Sequence, residues 1–82
     1  MFETCECMGI EVRHTKDYTT KAPKDVYYFH GKVKNREALD GIITFSAKIP
    51  DHLLANFSVG QTYLIAYTQY NGYRTIADVF VK

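Results

Sequence analysis

The sequence lacks tryptophan and any long hydrophobic run, and it has only two prolines and two cysteines among its 82 residues. No segment is apolar over the ~20 residues that a membrane-spanning helix needs, so we expect no membrane partner. The first ten residues, "MFETCECMGI", carry two glutamates where a secretory signal is basic, so we expect no signal peptide. The composition, 46% hydrophobic and 23% charged, is that of a globular chain, and the length suits one domain, residues 1–82.

Motifs for catalysis and for metal binding are also missing. The chain has no glycine-rich phosphate loop, no H-E-x-x-H and no nucleophile elbow, so we predict that it is not an enzyme. Cys5 and Cys7 form a C-x-C pair without a second close pair, and His14 and His30 complete no zinc pattern, so we predict no metal and no other cofactor. On a strand the two thiols would share a face at a spacing awkward for a disulfide, which indicates a reduced, cytoplasmic protein.

The charge is unevenly distributed although the net charge is only +1. Between residues 13 and 36, seven basic residues are opposed by Asp17 and Asp25 alone, so this segment carries +5 and the rest of the chain −4. Several of the chain's seven tyrosines lie in or near the same segment. Such a basic segment indicates either a polyanion partner or a solvated surface.

Alternating apolar and polar residues predict β-strands, and no long helical periodicity is present. The first three strands are predicted at residues 5–14, 26–34 and 42–49. Gly9 interrupts the alternation of the first strand, as expected for a bulge or a bend. The polar segment 15–25 is either a long loop or a twisted β-ribbon. The predicted core-facing residues of the second and third strands are Tyr27, Phe29, Gly31, Val33, Ile43, Phe45, Ala47 and Ile49.

A short helix and a hairpin complete the pattern. Residues 50–57, "PDHLLANF", begin with a proline and an acid and group their apolar side chains on one side, which predicts one or two helical turns. The segments "YLIAYTQ" and "YRTIADVFV" flank Asn71 and Gly72, the preferred pair for a tight hairpin turn.

Five short antiparallel strands need closure, because exposed strand edges invite aggregation. A bend at Gly9 would let the first strand pair on both sides and close the sheet. The element order therefore predicts an all-β, five-stranded OB-fold (Greek-key) barrel with one short helix between strands three and four. The alternative is an SH3-like barrel, which lacks a helix at that place.

Three segments carry a resemblance to a known family: "RHTKDYTTKAPKDVYYFH", "FSVGQTYLIAY" and "TQYNGYRTIADVFVK". Together they resemble the small OB-fold single-stranded-DNA-binding proteins, including the filamentous-phage type. The resemblance implies that residues 13–30 contact DNA and that residues 67–74 lie at or near a subunit contact of a homodimer. It also implies a DNA replication accessory of a phage or mobile element, located in the host cytoplasm.

Proteins bind single strands by pairing cations with phosphates and by stacking aromatic rings on unpaired bases. Tyr18 lies among lysines, and Tyr28 and His30 share a predicted strand face with two more. Tyr63 and Tyr67 share a face with Ile65, which favours the core or an interface for these two rings. The predicted nucleic-acid-binding residues are Arg13, Lys16, Tyr18, Lys21, Lys24, Tyr28, His30, Lys32, Lys34, Arg36, Tyr73 and Arg74. The predicted subunit-interface residues are Tyr67, Tyr70 and Tyr73.

The sequence thus favours non-catalytic binding of single-stranded nucleic acid, DNA rather than RNA. The alternative is a protein-interaction module, an inhibitor or adaptor, in which Tyr70, Tyr73 and Arg74 form the contact. The near-neutral net charge favours this alternative, since dedicated nucleic-acid binders are often more basic. A small enzyme subunit or metal protein ranks third, because no group of residues suggests one.

Overall fold

Five strands form a single sheet that closes into a barrel in the order β1-β2-β3-β5-β4, and the computed structural model describes all 82 residues. Neighbouring strands are antiparallel except β3 and β5, which pair in parallel. The prediction of a five-stranded all-β barrel with a short helix between strands three and four is confirmed, and the strand order is OB-like. The elements are β1 Phe2–Lys16, β2 Pro23–Val33, β3 Thr44–Ile49, a 3₁₀ helix Asp51–Asn56, β4 Thr62–Tyr70 and β5 Tyr73–Val81.

The long first strand closes the barrel because it pairs on both of its edges. Its beginning pairs with β4, and from Cys5 onward it pairs with β2. The β1–β2 register shifts between Cys7 and Gly9, so Met8 is the extra residue of a bulge. A bulge bends its strand and increases the local twist, which lets β1 pass from one partner to the other. The expected irregularity at Gly9 is therefore confirmed.

The barrel interior holds apolar side chains from every strand and from the 3₁₀ helix. The predicted inward faces of strands two and three are confirmed, except that Tyr27 and Ile43 are only half-buried. Gly31 leaves room for a ring, since a Cβ there would lie 2.5 Å from Phe29 Cε1. The core residues are Cys5, Cys7, Phe29, Val33, Phe45, Ala47, Ile49, Leu53, Phe57, Tyr63, Ile65 and Ile76.

The segment between the first two strands is a β-ribbon, the second of the two predicted alternatives. Pairing between β1 and β2 continues to Lys16 and Pro23, beyond the expected strand ends at residues 14 and 26. Asp17 closes the tip, because its Oδ1 accepts hydrogen bonds from the backbone N–H groups of Thr19 and Thr20 at 2.8 and 3.1 Å. The molecule measures 45 × 25 × 21 Å along its principal axes, an elongation that fits a protruding ribbon.

The hairpin and the helix follow the local sequence signals. Asn71 and Gly72 have φ angles of 50° and 80°, the two positive values that a type I′ turn requires. The helix is a tight 3₁₀ helix that starts after Pro50 and buries Leu53. The third strand starts at Thr44, two residues later than predicted, and Ile42 is exposed. None of the helical segments has the length and apolar character needed to cross a membrane.

Candidate functional site

A cleft of about 200 Å³ lies between the outer face of β1, β2 and β3 and the turn of the β4–β5 hairpin. Alternation along β2 and β3 directs Tyr28, His30 and Ser46 outward, because their neighbours in sequence pack toward the barrel interior. The lining residues are Arg13, Tyr28, His30, Ser46, Ala47, Gly72, Tyr73 and Arg74. Five of the twelve residues predicted to bind nucleic acid thus meet in one place: Arg13, Tyr28, His30, Tyr73 and Arg74.

Arg13 and Tyr28 form a stacked pair at one side of the cleft. The guanidinium carbon of Arg13 lies 4.1 Å from the centre of the Tyr28 ring. Glu11 holds the guanidinium in place, since Nε donates to Oε2 at 2.9 Å and Nη2 donates to Oε1 at 3.2 Å. The hydrogen bond to Glu11 also raises the pKa of Arg13 above its usual value. One face of Tyr28 is therefore covered by a cation, and its ring is half-buried.

His30 links the same glutamate to the third strand. Its Nε2 lies 2.7 Å from Glu11 Oε1, and its Nδ1 lies 2.7 Å from Ser46 Oγ. Hydrogen bonds from Arg13, and then from His30, lower the pKa of Glu11 to about 2. Glu11 is consequently ionised at neutral pH, and because a carboxylate only accepts, Nε2 of His30 must carry the donated proton.

Tyr73 and Arg74 bring the hairpin to the cleft. Tyr73 is 79% exposed, and its cross-strand partner Tyr70 is 78% exposed but does not line the cleft. The Arg74 guanidinium lies over the rings of Phe45 and Tyr67, at 5.1 and 5.8 Å from their centres. No carboxylate lies within 4.0 Å of Arg74, so its charge faces the cleft without an acidic partner.

Tyr67 belongs to the barrel wall at this end of the molecule. Its ring meets Phe45 edge-on, with centres 4.9 Å apart, and it is half-buried beneath Arg74. This agrees with the expectation of a core or interface position. The subunit-interface role of Tyr67, Tyr70 and Tyr73 stays a prediction.

The ribbon carries four predicted residues beyond the cleft. Tyr18 at the tip is 96% exposed. Alternation places Lys24 on the outer face with Arg13 and Tyr28, whereas Lys16 belongs to the opposite face of the ribbon. Lys16, Lys21 and Lys24 have no acidic partner within 4.0 Å. The ribbon therefore presents available positive charge beside the cleft, although not all on one side.

The last three predicted cations lie toward the other end of β2. Lys32 is on the outer face and is not paired with an acid. Lys34 Nζ lies 3.7 Å from Glu6 Oε1, and Arg36 forms an ion pair with the buried carboxylate of Glu3. The structure does not bring Lys32, Lys34 or Arg36 into the cleft.

Sequence reasoning missed Lys48, Ser46 and Glu11. Lys48 is a residue of β3 that lies opposite Tyr28 of β2 and opposite Thr75 of β5. It has no acidic partner. Together with Lys24 it lines another hollow, of about 130 Å³. The alternation of "IITFSAKI" already places Lys48 and Ser46 outward, but only the strand order shows which residues they adjoin. Glu11 lies just outside the basic segment, and no local signal links it to His30.

The cysteines and histidines considered as zinc ligands are separated. Cys5 and Cys7 lie in the core, and burial raises the pKa of Cys5 to about 12. His14 Nδ1 lies 2.7 Å from Asp25 Oδ1 on the ribbon, while His30 lies in the cleft. No three cysteine, histidine, aspartate or glutamate side chains converge as a metal site would require.

The fold and the cleft define a small OB-like barrel with arginine and tyrosine side chains gathered on one outer face. Comparison with protein-family models, curated proteins and solved structures finds no match to this chain.

Proposed function

We propose that the protein binds single-stranded nucleic acid, DNA in preference to RNA, and that it is not an enzyme. The observation that carries this proposal is the meeting of Tyr28, Tyr73, Arg13 and Arg74 around one open cleft. Rings and cations in one groove are what unpaired bases and their phosphates require.

The exposed rings support base stacking. Tyr73 presents its ring to solvent, and Tyr18 does the same at the ribbon tip. Stacking of a base on an aromatic side chain contributes ~1–3 kcal/mol and tolerates any base, because every base has a π face. We therefore expect little sequence preference.

The unpaired cations support phosphate binding. Arg74 lies in the cleft, and Lys48 lies beside the cleft residue Tyr28. Lys24 lines a separate hollow with Lys48, and Lys16 and Lys21 lie further along the ribbon. None of these five cations has a carboxylate within 4.0 Å. A phosphate backbone that passes from the hairpin to the ribbon along the outer face would meet Arg74, Lys48 and Lys24, whereas Lys16 lies on the opposite face of the ribbon. The binding free energy should then depend on salt through release of counterions.

A fluorescence titration with a short oligo-dT at about 50 mM and about 200 mM salt tests the proposal. We expect binding at low salt that weakens steeply at the higher concentration. Absence of binding at low salt would contradict the proposed function.

Replacing Tyr73 with alanine provides the residue-level test. We expect Tyr73→Ala to lose ~1–3 kcal/mol of binding free energy, because one stacking surface is removed. Its melting temperature should stay close to that of the unmodified protein, since the ring is exposed.

Tyr70→Ala is the matched control, because Tyr70 is equally exposed and lies opposite Tyr73 beside the same turn, yet outside the cleft. We expect a much smaller loss of affinity for the short oligonucleotide. Equal losses in the two variants, with the oligomeric state of both unchanged in sedimentation, would exclude the cleft as the site of stacking.

The resemblance to the filamentous-phage type leads us to propose further that the protein is a homodimer. Its subunit contact would involve the hairpin residues Tyr67, Tyr70 and Tyr73. The setting would be DNA replication of a phage or mobile element in the host cytoplasm. Sedimentation of the free protein measures the oligomeric state directly.

The exposed hairpin tip also supports the second candidate, a protein-interaction module. Tyr70, Tyr73 and Arg74 are of the residue types that dominate binding energy at protein interfaces. Failure to bind oligo-dT, together with a stoichiometric protein partner whose binding is lost in Tyr70→Ala and Tyr73→Ala, would favour this function.

A further inference from the structure

Glu11 satisfies three donors with one carboxylate at the edge of the cleft. Oε2 accepts from Arg13 Nε, and Oε1 accepts from both Arg13 Nη2 and His30 Nε2. The carboxylate is 39% exposed at its side chain, so it has open access to solvent. The donors that a bound anion would seek are thus already engaged in the free protein.

An arginine fork binds a carboxylate and a phosphate through the same pair of parallel N–H···O bonds. The hydrogen bonds that Glu11 receives from Arg13 and His30 are therefore those that a phosphate oxygen would receive at this place. Exposed ion pairs of this kind are weak, because water and salt screen them, so a polyanion can exchange with the glutamate.

We propose that Glu11 is an internal competitor of the nucleic-acid phosphate, and that a bound single strand displaces its carboxylate from Arg13 and His30. This inference rests on the proposed function and deepens it. The competitor is present across the physiological pH range, since the pKa of Glu11 is lowered to about 2.

The competitor lowers the affinity of the cleft for every phosphate ligand, so a ligand needs further contacts to occupy the cleft. One phosphate gains little by replacing a carboxylate that is already in place. A strand adds contacts with the unpaired Arg74, Lys48 and Lys24 and stacking on Tyr73, so its total binding energy exceeds the loss of the Glu11 pairs.

The test compares the affinity of oligo-dT for the unmodified protein and for Glu11→Gln at about 50 mM salt, by fluorescence anisotropy. We expect Glu11→Gln to bind roughly two- to fivefold more tightly, because Arg13 is released for a phosphate. Affinity for the mononucleotide dTMP should increase by a similar factor, because both ligands must displace the same carboxylate.

Glu6→Gln is the matched control for charge. Glu6 also lies on the outer face of β1, is 35% exposed at its side chain, and pairs with a cation, Lys34, away from the cleft. Glu11→Asp is the second variant, since it keeps the charge but shortens the arm that holds Arg13. We expect little change in Glu6→Gln and an intermediate gain of affinity in Glu11→Asp.

Each outcome has one meaning. An equal gain of oligo-dT affinity in Glu6→Gln and Glu11→Gln would show a general effect of charge. It would overturn the proposal that Glu11 competes with the phosphate. Weaker binding by Glu11→Gln than by the unmodified protein would overturn it too, since Glu11 would then be positioning Arg13 for the ligand. In both cases the unmodified protein still binds and the proposed function stands, whereas failure of every variant to bind oligo-dT overturns both.

Discussion

At the scale of single residues, ion pairing decides how much of the basic segment is available to a ligand. Arg13, Lys34 and Arg36 each pair with a glutamate that lies outside the segment, at positions 11, 6 and 3. The formal charge of +5 between residues 13 and 36 therefore overstates the free positive charge. The unpaired cations of the segment are Lys16, Lys21, Lys24 and Lys32.

The two thiols allow a prediction at the same scale. Burial raises the pKa of Cys5 to about 12 and also raises that of Cys7, so neither forms the reactive thiolate near neutral pH. We expect both to resist a thiol reagent at pH 8 in the folded protein and to react rapidly in guanidinium chloride.

The raised pKa values also make the free energy of unfolding depend on pH, because the folded state holds these thiol protons more tightly than the unfolded state does. The stabilisation from the two protonated thiols is complete below about pH 9 and is lost as the pH rises above it.

The thiol reagent can also contradict the closed barrel. Fast modification of one thiol under native conditions would mean that the first strand opens near the bulge at Met8. The barrel closure described above would then not persist in solution.

At the scale of elements, the β4–β5 turn depends on one glycine. Gly72 has a φ of +80°, which an L-residue adopts only with strain, although a Cβ there would meet no atom within 4 Å. We expect Gly72→Ala to lower the free energy of unfolding by ~1 kcal/mol, measured by urea denaturation. Misplacement of Tyr73 should weaken oligo-dT binding in the same variant.

Gly9→Ala is the control for Gly72→Ala, because it adds the same methyl group at a position without backbone strain. Gly9 also has open space around its Cα, but its φ is not positive. We expect a change within about 0.5 kcal/mol. A loss equal to that of Gly72→Ala would contradict the assignment of the effect to the turn.

At the scale of the whole molecule, the lysines of the ribbon lie apart from the barrel core. Lys16, Lys21 and Lys24 are exposed and lie outside the core. Replacing all three with glutamine should leave the melting temperature nearly unchanged. Each phosphate contact on a single strand contributes about 0.7 to the slope of log K against log salt. Because Lys16 lies on the opposite face of the ribbon, we expect the slope to fall by roughly one to two units.

The control for this variant is Lys34→Gln combined with Arg36→Gln, at the other end of β2. Both cations are already paired with glutamates and lie outside the cleft, so a smaller change in slope is expected. If the two variants reduced the slope equally, the proposed path of the strand along the ribbon would be wrong.

The sequence by itself determined the secondary structure, the inward faces of the strands and the turn at Asn71 and Gly72, because alternation and turn chemistry are local properties. It also placed Tyr28 and His30 on one outer face. Strand ends were less predictable, since cross-strand pairing rather than composition extends β1 and β2 into the ribbon.

Only the tertiary structure decided which outward side chains meet. The cleft joins β2 and β3 to a turn that lies about 25 to 45 residues further along the chain, and the pairing of β3 with β5 brings that turn to the cleft. The proximity of Lys48 to Tyr28 and the Glu11–His30 contact arise from strand order and register, which no short segment encodes. The tertiary structure also decided which cations lack an acidic partner, because most of the ion pairs join residues that are distant in sequence.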